Sequence, residues 1–289
     1  MQSYQVNNTT VIINGEFTRQ EDAALYINDL SITRGYGVFD FFKTIGGHPI
    51  FFDDHLTRFY ASAAYLNLAI PFTPDQLKAQ IMGLMANNNM PDSGIRLTLT
   101  GGYSADGFNP GKPNLVITQQ PLVINPELTK GIRLITYEHQ RQLPSAKSID
   151  YLMAIWLQPL IKQEGADDVL YHQQGTITEC PRSNIFMVNY DNTIATPGRD
   201  MLKGVIRKQL VERLDHGYRL EERAITLAEL YSAKEVFITS TTKNIMPVIA
   251  IDRHVIGSGK AGTVSTDLNQ QLQKLIETPN PEQVQIFYP

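Results

Sequence analysis

The sequence contains one cysteine, Cys180, and one tryptophan in 289 residues. A lone cysteine closes no intrachain disulfide, and the opening MQSYQVNNTT has neither a basic stretch nor an apolar core, so the expected compartment is the cytoplasm. Long apolar runs are also missing. Met246 to Ile251 is about six residues against the roughly twenty that cross a bilayer, so no membrane segment is expected. Neither sign of charge dominates: 25 Lys+Arg and 29 Asp+Glu leave a net charge of -4, which provides no basic field for nucleic acid. The histidines, at 48, 55, 139, 172, 216 and 254, show no metal-ligand spacing, so no metal site is expected.

What is present is ordinary globular composition, 42% hydrophobic and 19% charged, in a length that admits one large or two modest domains. Val11-Ile12-Ile13-Asn14-Gly15-Glu16-Phe17 carries a hairpin signal. Gly37 to Phe42 and Pro49 to Phe52 read as a second hairpin, turning at Gly46-Gly47. Asp53 or Asp54 is expected to cap a helix with Leu56, Phe59, Ala63 and Leu66 on its apolar face. Thr73-Pro74-Asp75-Gln76 has the form of a capping box. Strands Ile95 to Thr100 and Leu115 to Thr118 enclose a glycine-rich loop, Gly101 to Gly111. Pro121 to Lys130, with two prolines and no periodicity, reads as a linker. The expected division is a small N-terminal α/β domain over 1–121, a linker over 122–130 and a larger C-terminal α/β domain over 131–289.

The second half alternates strands and helices. Ile132 to Tyr137 reads as a strand, followed by a helix from about Tyr151 and three short strands around Gly175 and Asp191-Asn192. Helices are expected from about Val205, after the cap Thr226 with Glu229, and over Ser265 to Ile276, with a strand at Val236 to Thr239. The fold class is two-domain α/β (α+β). Two motifs in the chain mislead. Gly257-Ser258-Gly259-Lys260-Ala261-Gly262 matches a dinucleotide fingerprint, with Glu277 about twenty residues on. It follows only a short strand, with little chain left for a nucleotide-binding sheet, so a surface turn is expected. Asn8-Thr9-Thr10 fits a glycosylation acceptor and reads as polar surface.

The informative stretch runs from Lys147 to Pro247. Lys147-Ser148-Ile149-Asp150-Tyr151-Leu152, Gly175-Thr176-Ile177-Thr178-Glu179, Ser183-Asn184-Ile185-Phe186, Leu202-Lys203-Gly204-Val205-Ile206-Arg207 and Ser240-Thr241-Thr242 occur in that order. Ahead of them stand Arg34-Gly35-Tyr36-Gly37-Val38-Phe39-Asp40 and His55-Leu56-x-Arg58. Together they resemble the class IV (fold type IV) pyridoxal-phosphate aminotransferases, over nearly the whole chain. The resemblance implies a D-amino-acid aminotransferase-like fold, pyridoxal 5'-phosphate as cofactor and a homodimer with sites built from both subunits.

By that resemblance Lys147 condenses with the cofactor aldehyde and, as free amine, moves the substrate's α-proton. Taken alone it would be a solvated lysine. Glu179 would face the pyridine nitrogen and keep it protonated; alone it reads as an exposed strand glutamate. Gly204, with the amides of Val205 and Ile206 opening a helix, would hold the phosphate, with Ser240 and Thr241 adding donors. Arg58 would add a charged fork, unless it pairs with Asp54 at i-4. Tyr151 is either a partner of the ring hydroxyl or a core aromatic. Two positions depart from the family: Asp150 replaces an asparagine, and Lys203 a proline or asparagine. Asp150 would either raise the lysine's pKa or cap the next helix.

The substrates implied are an amino acid and a 2-oxo acid, whose carboxylates planar arginine forks recognise well. By the resemblance Arg182 stands where family members carry a small residue, and Arg34 opens a strand that would lie near the site across the dimer interface. The pair resembles the non-canonical D-amino-acid transaminases; the alternative for both arginines is a structural salt bridge. Arg96 matches an arginine of branched-chain members and keeps an L-specific branched-chain reading open. An aminodeoxychorismate lyase using the same lysine and cofactor is a further alternative.

Overall fold

The computed structural model describes residues 9–122, 130–213 and 217–277. Among them the chain divides into two compact units, Met1–Ile124 with Ser145–Tyr151, and Asn125–Pro144 with Leu152–Pro289.

In the first unit, β1 (Thr10–Ile13) and β2 (Glu16–Arg19) form the first expected hairpin. A short helix α1 (Leu30–Arg34) follows, then β3 (Gly37–Ile45), β4 (His48–Pro49), α2 (Phe52–Tyr65), α3 (Pro74–Asn88), β5 (Ser93–Thr100) and β6 (Leu115–Pro121). The strands make one antiparallel sheet in the order β2-β1-β6-β5-β3-β4. Gly46 and Gly47 both take positive φ in the two-residue turn between β3 and β4, where a side chain would be strained. The core joins sheet and helices: Phe42, Ile95, Leu97 and Leu99 lie with Phe59, Leu77, Ile81 and Leu84, all without exposure. Burial of this aliphatic and aromatic surface is the main term holding the unit together.

The second unit holds β7 (Ile132–Glu138), α4 (Leu152–Trp156), α5 (Gln158–Gln163), β8 (Asp168–Gln173), β9 (Thr176–Ile177), β10 (Asn184–Val188) and β11 (Ile194–Thr196). After these come α6 (Val205–Lys208), β12 (Leu220–Glu222), α7 (Leu227–Tyr231), β13 (Glu235–Ser240), β14 (Asn244–Ile251), β15 (His254–Val255) and α8 (Thr263–Glu277). Its mixed sheet runs β12-β11-β10-β13-β14-β7-β8-β9, with β15 on β14. Central β10 and β13 are buried along nearly their whole length, which explains their unbroken apolar runs.

Several expectations are corrected. The lysine segment Ser145–Tyr151 belongs to the first unit, not to the C-terminal domain. Ala146 is buried in that unit's core, Phe39 N donates to Lys147 O at 2.9 Å, and Ile149 N donates to Gly37 O at 3.0 Å. Most of the expected linker, 123–129, lies outside the described residues, as do Asn8 and His216. Arg34 ends α1 rather than opening a strand, because Gly35 closes the helix in the left-handed region. Helix α2 starts from Phe51, itself at φ 52, with Asp53 and Asp54 in the first turn where they favour the helix dipole instead of capping it. Strand β14 is longer than the short strand expected ahead of Gly257 and runs through Pro247. Pairing with β7 begins one residue later, at Val248, so that ladder asks no donor of Pro247.

Candidate active site

Strand alternation divides β3 into two working faces. Phe42 and Asp40 turn to α2: the Phe42 ring lies 5.8 Å from the His55 ring, and Asp40 bonds His55 and Arg58. Phe39 turns the other way. Its ring carries the Lys147 ammonium 4.4 Å from its centroid and the Arg96 guanidinium at 4.6 Å, both within cation–π range. Tyr151 packs edge-on against the same ring at 5.7 Å. Three of the expected site residues, Lys147, Arg96 and Tyr151, therefore gather on one aromatic platform in the first unit. Phe39 was not singled out from the sequence, although its strict alternation with Asp40 was readable.

Lys147 is half-buried, and its backbone is fixed on two sides: its carbonyl accepts from β3, and its N–H donates to Ser62 Oγ on α2 at 3.1 Å. Arg58, also from α2, does not pair with Asp54. Its Nε and Nη2 grip Asp40 Oδ2 and Oδ1, each at 2.8 Å. Burial alone would raise the Asp40 pKa, but the Arg58 and His55 charges and hydrogen bonds overcome it and hold the carboxyl well below its ordinary range.

In the second unit Glu179 is buried, and its carboxylate accepts from Arg141 Nε at 2.7 Å and from Leu202 N at 3.0 Å. It is not the exposed strand residue that its pattern suggested. Asn184 pins the same loop, donating to Leu202 O at 2.6 Å and accepting from Gly204 N at 3.0 Å. The glycine at 204 is required here by Asn184, because a Cβ would collide with its Oδ1. Gly204 then starts α6 as an N-cap without a side-chain cap, leading into Val205 and Ile206. Ser240 ends β13, and its Oγ accepts from Lys243 N at 3.2 Å across the turn that carries Thr241.

Helix α8 shows the opposite arrangement at its N-terminus. The Gly257–Gly262 motif leads straight into it, but buried Glu235 occupies the anion position, accepting from Val264 N at 3.0 Å and from Ser265 N and Oγ at 2.9 Å. A Cβ on Gly262 would collide with that carboxylate. The fingerprint is a turn bonded to the chain's own glutamate. Among the described residues no group of three His, Cys, Asp or Glu could hold a metal ion, and no helix is long and apolar enough to cross a membrane.

Arg34 and Arg182 are both exposed, and neither forms an ion pair among the described residues; Arg34 Nη1 donates to Thr33 O at 2.9 Å. Asp150 and Lys203 are exposed as well.

The amino-transferase class IV family profile matches residues 37–251, which contain every platform and carboxylate residue described above. The chain belongs to the class IV aminotransferases. As a member of that family it is an aminotransferase with a mixed α/β fold. It is 30% identical over 92% of its length, and 96% of the other chain, to a chain of Methanocaldococcus jannaschii provisionally assigned as a branched-chain-amino-acid aminotransferase. It is 29% identical over 92% of its length, and 96% of the relative, to the D-alanine aminotransferase of Bacillus licheniformis. The crystal structure of the T.th. branched-chain amino acid aminotransferase complexed with N-(5'-phosphopyridoxyl)-L-glutamate is similar with a TM-score of 0.88 and 27% identity, covering 96% of this aminotransferase and 97% of that chain.

Proposed function

We propose that this aminotransferase uses pyridoxal 5'-phosphate to move an amino group between a D-amino acid, such as D-glutamate or D-alanine, and a 2-oxo acid such as 2-oxoglutarate. The residues present fit that cofactor group by group. A half-buried lysine amine suits its aldehyde, a buried carboxylate suits its ring nitrogen, and an arginine edge with an uncapped helix start suits its phosphate. When bound, the cofactor supplies a ring that absorbs the electron pair left as the substrate's α-proton departs. Lys147 Nζ would hold the cofactor at its aldehyde and, as free amine, would take and return that α-proton. Glu179 would hold the proton at the ring nitrogen, its carboxylate kept in place by Arg141. Tyr151 would reach the ring hydroxyl, and Arg58, Gly204, Val205, Ile206, Ser240 and Thr241 would bind the phosphate.

The D-amino-acid reading rests on Arg34 and Arg182, two exposed guanidiniums that form no ion pair among the described residues. They would take the substrate carboxylates, Arg34 from the partner subunit of a homodimer. Arg96, beside Lys147 on Phe39, favours a second reading, a branched-chain L-amino-acid aminotransferase. Transamination of 2-oxoglutarate with both enantiomers of Glu, Ala and Leu separates the two. The D reading expects turnover of D-Glu or D-Ala and a large KM increase in Arg182→Ala with the cofactor's absorbance retained. Turnover confined to L-leucine, or unchanged kinetics in that variant, contradicts it.

A further inference from the structure

We infer that Asp40 is a positioning residue, which holds Arg58 side-on so that the outer edge of its guanidinium meets the cofactor phosphate. This rests on the pyridoxal-phosphate reading above. Asp40 has no exposure and sits on β3 with every donor around it converging on its carboxylate. Oδ1 accepts from Phe41 N at 2.7 Å, from His55 Nδ1 at 2.7 Å and from Arg58 Nη2 at 2.8 Å, while Oδ2 accepts from Arg58 Nε at 2.8 Å. His55 is itself fully buried; burial is the largest influence on its pKa and lowers it, opposed by Asp40, whose Oδ1 its Nδ1 meets.

Using Nε and Nη2 on one carboxylate turns the Nη1 edge of the guanidinium away from Asp40, and no acceptor among the described residues bonds that edge. Only 13% of the Arg58 side chain is exposed, so the edge is held rather than waving in solvent. Two effects oppose each other. Asp40 cancels part of the charge that attracts a phosphate, yet it also removes the rotamer freedom that an arginine otherwise loses on binding. The four convergent hydrogen bonds favour orientation as the larger effect, since fixed charge-assisted geometry is what gives arginine its strength toward phosphate.

The two effects predict opposite outcomes for Asp40→Asn. Full-length apoenzyme is titrated with pyridoxal 5'-phosphate and, separately, with pyridoxal, which lacks the phosphate, following the absorbance change of each. Asp40→Asn is expected to weaken the phosphate form about tenfold or more and to leave pyridoxal unchanged. Asp40→Glu should restore part of the loss, and in an Arg58→Ala background Asp40→Asn should add nothing. Equal or tighter binding of pyridoxal 5'-phosphate by Asp40→Asn, equal loss for both ligands, or additivity with Arg58→Ala overturns the inference. If Asp40→Asn does not fold, Arg58→Lys serves instead, since it keeps the charge without the fork. A similar loss confined to the phosphate form supports the inference, and unchanged affinity overturns it. Wild-type protein that binds neither ligand refutes the cofactor reading itself, which is a different result from wild-type binding with unaffected variants.

Discussion

Two buried carboxylate–arginine pairs, Asp40 with Arg58 in the first unit and Glu179 with Arg141 in the second, look alike and are assigned opposite working ends. Their arginine side chains are 13% and 12% exposed and their carboxylates 0% and 5%. In the first pair the carboxylate is surrounded by His55 Nδ1 and Phe41 N behind it, and the arginine keeps an outward edge. In the second the arginine is tied off on Pro144 O at 2.8 Å, and under the proposed function the carboxylate is the member that would face the cofactor's ring. A buried ion pair contributes little net stability once desolvation is counted, so its value lies in fixing one member in place. Which member acts depends on what holds the other.

The largest effect should come from breaking each pair at its working end. Glu179→Gln is expected to lower kcat by about a hundredfold or more while cofactor affinity stays within a few-fold. Arg58→Ala should do the reverse, weakening cofactor binding with kcat nearly kept at saturating cofactor. Steady-state kinetics beside a cofactor titration checks both, and equal losses of kcat and affinity in both variants would erase the distinction.

A third buried charge on the strand of Asp40 sharpens the contrast. For Lys43, burial dominates and lowers its pKa from the ordinary 10.5 to about 8. The unfolded chain then holds this proton up to its ordinary pKa while the folded chain releases it earlier, so stability should rise between pH 8 and 10.5. The gain is on the order of 3 kcal/mol at most. Urea unfolding across that window should show a flatter dependence in Lys43→Met. The sign is opposite for Asp40, whose folded carboxyl is held below its ordinary range. Its stabilisation is present above the unfolded pKa of about 4 and fades as the pH falls from there. Melting temperatures from about pH 6 to about pH 3 should fall less steeply in Asp40→Asn. The smallest effect concerns the filled helix start: Glu235→Gln should cost about 1 kcal/mol in unfolding and leave kinetics unchanged.

The hairpins, the capping boxes at Thr73 and Thr226 and the apolar face of α2 were legible because each is written within a few neighbouring residues. Lys147 and Glu179 were singled out as members of an ordered motif series, and the structure places the first half-buried and the second buried. What the sequence hid is held by contacts over distance. Asp40 meets Arg58 from 18 positions away, Arg141 meets Glu179 from 38, and Glu235 meets Ser265 from 30. No spacing rule connects such pairs. The Gly257–Gly262 motif is the turn that was expected, but the carboxylate at its end, Glu235, comes from a strand distant in sequence. Lys147 itself was placed in the wrong unit, because its neighbours along the chain differ from those it packs with.

Under the proposed function Lys147 is the residue on which the cofactor chemistry would turn. Adding pyridoxal 5'-phosphate to the wild-type protein should produce a visible or near-ultraviolet absorbance band that shifts when an amino-acid substrate is added, and Lys147→Ala should show neither the band nor the shift. A band of equal position and response in Lys147→Ala, or none in the wild-type protein, would contradict the account.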